Sequence, residues 1–220
     1  MNTTEFQQES PQVPPRGSKT ALLDAALHLI RAKGYSATRI EDICEEAGLT
    51  KGSFFHHFKS KEDLALRAAA HFAARADAAF ATAPYQSIAD PYDRLLGYVD
   101  FRISILQGSL PDYTCLLGTM VQETFDTYPA IRAACDTHIS AHAAAVAEII
   151  TEAKSLYAPD APWSAESLAL YIQAVIQGAF ILAKAKQGPQ VAADCLGHLR
   201  RYLKTQFPQA ERLKEAARQA

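Results

Sequence analysis

The sequence predicts an all-α fold: an N-terminal three-helix domain of helix-turn-helix type and a larger C-terminal helical domain, with about nine helices altogether. Three observations carry that expectation. Alanine is abundant while only six valines occur in 220 residues, a balance that favours helices over strands. Apolar residues recur at spacings of three and four along most of the chain. Serine, threonine or aspartate stands at the head of most such segments, and glycine or proline closes them. With 49% hydrophobic and 21% charged residues, the chain can bury a substantial core.

Residues 1–17 are polar, contain Pro11, Pro14 and Pro15 and show no periodicity, so they are expected to form a flexible arm carrying Arg16. Ser18 is the expected N-cap of the first helix, with Leu22, Ala25, Ala26, Leu29 and Ile30 on one face and Gly34 as its stop. Thr38 and Glu41 have capping-box spacing, and Ile40, Ile43, Cys44 and Ala47 line a short second helix that ends at Gly48. Thr50 caps a third short helix reaching about Phe58, and Ser60 with Asp63 opens a long fourth one towards Ala81. Two short helices across a glycine-containing turn suggest helix-turn-helix.

Asp90, followed by Pro91, starts a fifth helix with Leu95, Leu96, Val99, Ile103 and Leu106 on one side, closed by Gly108 and Pro111. A sixth is expected over Tyr113–Phe125 and a seventh from Pro129 to about Leu156, before a loop at Tyr157–Pro162. Ser164 opens the eighth, which ends near Gly188 and Pro189. Ala192, Cys195, Leu196, Leu199, Tyr202 and Leu203 mark a ninth reaching Phe207. The charged tail, 208–220, is helical or frayed. No fixed-period repeat is present.

Composition also excludes function classes. A net charge of −2 rules out a protein that coats nucleic acid with a broadly basic surface. Cys44, Cys115, Cys135 and Cys195 are too scattered for a disulfide framework or a CxxC site, which fits a reducing cytoplasm. Met1–Ser10 has no apolar core, so no secretory signal is expected. Ser167–Ala183 is uncharged but interrupted by Gln173 and Gln177 on one face, and is expected to be a buried helix with no membrane role. There is no GxSxG, HExxH or dinucleotide motif, and Gly17-Ser18-Lys19-Thr20 lacks the first glycine of a P-loop. No enzyme activity and no cofactor are therefore expected; a helical enzyme or metal protein is the remote alternative. His138 and His142 stand four apart without a third ligand, so no metal site is assigned.

The most informative stretch is Gly48-Leu49-Thr50-Lys51-Gly52-Ser53-Phe54-Phe55-His56-His57-Phe58, continued by Lys59-Ser60-Lys61-Glu62-Asp63-Leu64. On a helix capped by Thr50, Phe54 and Phe58 face the core, while Lys51 with Phe55 and Gly52 with His56 line an adjoining face that is small, basic and aromatic. This stretch resembles the second half of a TetR-type helix-turn-helix, and Thr38-Arg39-Ile40 with Ile43-Cys44 resembles the first half; the resemblance runs from Lys19 to about Leu64. It implies DNA binding by Thr38, Thr50, Lys51, Gly52, Ser53, Phe55, His56, His57 and Lys61. Lys51 and Gly52 would enter the major groove, with Ser53 as a base or phosphate donor and Thr38, Phe55, His56, His57 and Lys61 flanking phosphates. Arg16 is a further candidate contact. Phe55 departs from the family's usual tyrosine and cannot offer a hydroxyl. Most of the carboxylates of Glu41, Asp42, Glu45 and Glu46 are expected to point to solvent, away from the groove.

The resemblance divides the chain into a DNA-binding domain at 18–66 and a ligand-binding and dimerisation domain at 67–207. Within the latter, Cys115-Leu116-Leu117-Gly118-Thr119-Met120-Val121-Gln122-Glu123 resembles a Cys-x-x-Gly then Gln-Glu signature of one branch of the family. Cys115 is thus a sensing thiol or a small core hydrophobe. Tyr98, Gln122, Tyr171 and Gln177 are candidates to orient a ligand, with Phe101 and Phe180 as walls beside Cys115. The last two long helices are apolar on more than one face, which calls for a homodimer through a four-helix bundle and for an inverted-repeat operator with half-sites about 34 Å apart, or a multiple of that. The expected function is a ligand-released repressor, a homodimer on double-stranded operator DNA with a small-molecule effector. An activator, or a constitutive DNA binder without ligand, is the alternative.

Overall fold

Eleven α-helices and one short 3-10 helix account for the described residues, 17–219 of a computed structural model. Residues 1–16, with most of the expected arm and its Arg16, lie outside them. Helices α1 (Ser18–Lys33), α2 (Ile40–Glu46) and α3 (Lys51–His57) pack Leu22, Ala26, Ile30, Ile43, Cys44, Phe54 and Phe58 into a common core. Thr50 caps α3 by accepting the Ser53 N–H at 3.2 Å, and Ser60 caps α4 (Lys61–Ala81) by accepting that of Asp63 at 3.1 Å.

Two expected caps are corrected. Gly17, not Ser18, is the N-cap of α1, and the Ser18 hydroxyl instead meets His57 Nε2 at 2.6 Å. Arg39, not Thr38, caps α2: the Asp42 carboxylate accepts the Arg39 N–H at 3.0 Å, and the expected Thr38–Glu41 box does not form. Thr38 is fully buried and its hydroxyl donates to the Gly34 carbonyl at 2.7 Å.

After a 3-10 turn at Pro84–Ser87 come α5 (Pro91–Ser104), α6 (Leu110–Tyr113), α7 (Leu116–Thr124), α8 (Pro129–Tyr157), α9 (Ala165–Lys186), α10 (Gln190–Gln206) and α11 (Pro208–Gln219). Asp90 and Ser164 cap α5 and α9 as their positions predict. The expected helix over Tyr113–Phe125 is instead two. Ser109 and Asp112 cap the single turn of α6 reciprocally, and Cys115 starts α7 afresh, its Sγ accepting the Gly118 N–H at 3.4 Å. The tail is helical and docked. Tyr92 donates to Glu211, Lys204 pairs with Glu211 at 3.3 Å, and Lys214 pairs with Asp93 above the Tyr92 ring.

Helix α9 has the length and hydropathy of a membrane span, 22 residues with a mean hydropathy of 1.6 over an 18-residue stretch. It packs Leu168, Ala169, Ile172, Ile176, Ala179 and Ala183 between α8 and α10, while Leu170, Tyr171, Ile181 and Leu182 on its other side are exposed.

The core of α1–α4 does not end at residue 66. It continues through Leu116, Leu117 and Met120 of α7 and Ile131 and Cys135 of α8, and Cys115 touches both this core and the second one formed by α4, α5 and α8–α11. Met120 is fully buried in the shared part. Met120→Ala is therefore expected to cost about 2–5 kcal/mol. In urea, the fluorescence of Trp163 in the C-terminal half and the helical circular dichroism of the whole chain should fall together at a lower midpoint. Separate transitions would show that the halves fold independently.

Candidate nucleic-acid interface and central cavity

On α3 the core takes Phe54 and Phe58, which leaves Lys51, Gly52, Phe55 and His56 on the surface and Ser53 and His57 half-buried. Phe55 is 56% exposed, its ring edge-on to Phe54 at 5.2 Å. Among the described residues, Phe54 is the one aromatic ring against which it is placed.

The acidic run departs from its expected orientation. Glu41 points towards α3, where its Oε1 meets Lys51 Nζ at 2.5 Å; the ammonium beside it lowers the Glu41 carboxyl below the usual range. Asp42 lies between Arg39 (2.7 Å) and Lys33 (2.6 Å), whose hydrogen bonds hold its carboxyl far below the usual range. Only Glu45 and Glu46 are plain solvent-facing charges. Helix α2 is only seven residues long and α3 follows it after four residues, so the long side chains of Glu41 and Lys51 can bridge from one helix to the other.

Thr38 leaves the surface set as a second correction, because a fully buried hydroxyl already donating to Gly34 cannot reach a phosphate. Lys61 is engaged within the protein. Its ammonium lies 4.3 Å from the Tyr35 ring centre and donates to the Ser36 carbonyl at 3.4 Å.

Helix α7 connects this face to the interior, and the Cys-x-x-Gly…Gln-Glu pattern gains a physical meaning in it. Cys115 caps the helix. The Gln177 amide of α9 occupies the space that a Cβ at Gly118 would take. Gln122 Nε2 donates to the Gly118 carbonyl at 2.7 Å. At the far end, the Glu123 carboxylate accepts the backbone N–H groups of Tyr35 (3.1 Å) and Ser36 (2.8 Å), in the turn between α1 and α2. It comes so close that a Cβ at Gly34, which has φ +92°, would strike it.

Beyond α7 lies a cavity of about 200 Å³. Phe72 and Phe80 of α4, Phe101 of α5 and Phe180 of α9 wall it, and Cys115 and Gln177 also line it. Phe101, Cys115, Gln177 and Phe180 thus fall together as expected. Gln122 lies instead at a neighbouring cavity of about 210 Å³, where Lys184 joins Cys115, Gln177 and Phe180. Tyr98 is wholly buried behind the wall. Tyr171 is a correction: it is 43% exposed and stacks on Tyr202, ring centres 5.0 Å apart. Gln173 and Gln177 face inwards, and a residue two positions before Gln173 is rotated by about 200° to the opposite side of the helix.

The cavity's charged and hydrogen-bonding groups include several that sequence reasoning missed. Arg102 Nε donates to Tyr98 Oη at 3.1 Å, Arg102 Nη2 lies 3.2 Å from His142 Nε2, and the guanidinium covers the Phe80 ring at 4.6 Å. Tyr98 Oη is in turn 3.0 Å from His142 Nε2, which accepts from both neighbours. Burial and, next, the charge of Arg102 push the His142 pKa down to about 3, so its ring is neutral. Arg31, which belongs to α1, reaches the same cavity over the Phe72 ring and donates to the carbonyls of Asp112 and Thr114. Among the described residues, Tyr113 Oη is buried without a hydrogen-bond partner. One signal was available for Arg102: it stands four residues after Tyr98 on an otherwise apolar face.

Residues 22–68 match the family model described as bacterial regulatory proteins of the tetR family. Residues 91–195 match the one described as the C-terminal domain of LmrA/YxaF-like transcriptional regulators. Among curated proteins, the chain is similar to the HTH-type transcriptional repressor KstR2 of Rhodococcus jostii, 46% identical over 48 residues that cover 22% of this chain and 24% of that one. It is also similar to the transcriptional regulator AcuR of Cereibacter sphaeroides, 38% identical over 76 residues that cover 30% and 35%. The chain thus spans about a fifth to a third of the length of these curated relatives. Among solved structures, a TetR transcriptional regulator of Chloroflexus aurantiacus superposes with a TM-score of 0.75 at 26% identity, covering 86% of this chain and 95% of that one. A regulatory protein TetR of Rhodobacter sphaeroides superposes with a TM-score of 0.73 at 25% identity, covering 86% and 98%.

The Glu123 contact gives a direct test of the link between the two regions. Glu123→Ala leaves the Tyr35 and Ser36 N–H groups to solvent and is expected to cost roughly 1 kcal/mol. Amide hydrogen exchange should quicken at Tyr35 and Ser36 while the interior of α8 keeps its protection. Unchanged exchange at these two amides would mean that the carboxylate does not hold the turn.

Proposed function

The chain belongs to the TetR family of bacterial regulatory proteins, and from that premise we propose that it is a transcriptional repressor that binds an inverted-repeat operator as a homodimer and is released by a small molecule. The observation that carries the reading is the surface of α3. Its first turn presents Lys51 and Gly52, with Ser53 beside them and Phe55 and His56 one turn on. This is a recognition helix whose N-terminal residues meet base edges while the flanking side chains meet the backbone. Thr50 fixes its start. His57, tied to Ser18, supports the phosphate-facing rim from below.

Dimerisation is supported by the exposed apolar side of α9, where Leu170, Tyr171, Ile181 and Leu182 continue onto Tyr202 of α10. A second copy related by a two-fold axis covers such a face with the same face and presents two α3 helices to two half-sites. The central cavity favours a ligand-released regulator over a constitutive binder, and repression follows KstR2, a repressor by its name. A protein of this kind works where the DNA is, in the cytoplasm. Release is a population shift: a ligand that prefers a different packing of α4 and α7 draws the dimer away from operator geometry, with a coupling of about 1–3 kcal/mol.

A nuclease footprint on DNA flanking the protein's own gene tests the reading, with protection of an inverted repeat expected. On that repeat, Lys51→Ala should weaken binding by roughly 1–3 kcal/mol, read as fluorescence anisotropy against a scrambled duplex. Equal affinity of the variant and the parent would remove Lys51 from base reading. Glu41→Gln should act in the other direction. Freed from a carboxylate beside it, Lys51 binds a scrambled duplex about two- to fivefold more tightly and the operator, where base contacts already outweigh the weak pair, by less, so the ratio of operator to scrambled affinity falls. A ratio that does not change would show the Glu41–Lys51 pair to be irrelevant to selection.

A further inference from the structure

We propose that the effector is a small monocarboxylic acid built on a single aromatic ring, bound in the central cavity by Arg102 and Tyr113. The proposal rests on the ligand-released reading given above and names the chemical class of its ligand.

The first argument is charge. Arg102 spends its hydrogen bonds on neutral partners, Tyr98 Oη and His142 Nε2, and among the described residues no carboxylate pairs with it. The two carboxylates that line the cavity, Asp77 and Asp112, are both exposed at its rim, and that of Asp112 already accepts the N–H and the hydroxyl of Ser109 at 2.7 and 2.6 Å. A guanidinium among phenylalanine rings without a counter-ion attracts an anion strongly, because the low-dielectric surroundings weaken the interaction little. His142 is held neutral, and Arg31, the other guanidinium on the cavity, is beside Asp112 and donates to the Asp112 and Thr114 carbonyls, which leaves Arg102 as the cation facing a monoanion.

The second argument is an independent polar group. Tyr113 is 7% exposed, its hydroxyl is buried and unpartnered, and it lines the same cavity. A buried hydroxyl without a partner is uncommon; this one sits just behind the wall formed by its own ring, and a turn of that side chain brings it to a ligand acceptor oxygen that satisfies it. The third is shape. Phe72, Phe80, Phe101 and Phe180 offer ring faces and edges, and the volume is about 200 Å³. An apolar cavity of about 150 Å³ takes benzene, so this one accommodates a ring and a carboxyl group.

The test is isothermal calorimetry of the full-length protein with benzoate and phenylacetate, and with benzamide as the uncharged isostere of benzoate, followed by the effect of each on the protected repeat. At least one acid is expected to bind saturably, at least tenfold more tightly than the amide, and to release the DNA. Arg102→Gln should remove that tenfold preference and Arg102→Lys should restore part of it. Tyr113→Phe, which deletes only the orphan oxygen, should weaken the acid several-fold and carries the test if Arg102→Gln fails to fold by circular dichroism. The proposal is overturned if the amide binds as well as the acids, if Arg102→Gln or Tyr113→Phe leaves acid affinity unchanged, or if neither acid binds to protein that still protects its repeat. Calorimetry needs no DNA, so a missing footprint with saturable acid binding would count against the regulator reading and not against the cavity.

Discussion

The contact on which the rest of the structure depends is the seat of α7 against the N-terminal helices. The roughly 40 residues of α1–α3 form too small a unit to bury a sufficient core alone. Their apolar side is completed by Leu116, Leu117 and Met120 from a helix more than fifty residues downstream in the chain. Glu123 then holds the turn after α1 by two backbone N–H groups. This turn leads directly into α2, and α2 leads into α3. The position of the recognition helix is thereby set from within the C-terminal half.

The same short helix begins at the cavity. Cys115 caps it there, and Leu117 also lines the cavity wall. Nine helical residues span about 13 Å, a length over which an α-helix is effectively rigid. A displacement at one end therefore reaches the other almost undiminished. Helix α4 makes a second such connection: it starts at Ser60 just after α3 and ends with Phe72, Ala76 and Phe80 on the cavity. Arg31 makes a third, since it belongs to α1 and lies on the cavity wall itself. Three independent elements give the coupling a physical route through packed side chains, and each can be loosened separately.

What the sequence reveals follows the range of the interaction involved. Thr50, Ser60, Asp90 and Ser164 are found as caps because a cap is decided within four residues. Phe54 and Phe58 are found as core because helical spacing puts them on one face. Thr38 misleads because two adjacent sets, Thr38 with Glu41 and Arg39 with Asp42, compete for one helix start, and Lys33 from the preceding helix favours the second by pairing with Asp42. Tyr171 misleads although its spacing is informative: it stands two positions before Gln173 and so lies on the opposite side of α9 from the Gln173–Gln177 face that turns inwards. Arg31 and Tyr113 are legible only in three dimensions, since they come from α1 and α6 and share nothing in sequence but their destination, whereas Arg102 of α5 is marked in the sequence only by its spacing of four from Tyr98.

The interface electrostatics answer a difficulty raised by composition. A chain of net charge −2 has little general attraction for DNA, and the cations near α3 are largely committed: Lys33 and Arg39 to Asp42, Lys61 to Tyr35 and Ser36, Lys51 to Glu41. Exposed pairs of this kind are weak, so a bound duplex can open them. Each opening nevertheless has a cost, which random DNA recovers only through phosphate contacts. On the proposed reading, a matching half-site recovers it through base contacts to Lys51 as well. The pair then penalises a duplex that meets Lys51 only through phosphates more than one that also gives it a base contact, which would let an acidic protein select a site without adhering to the rest of the genome.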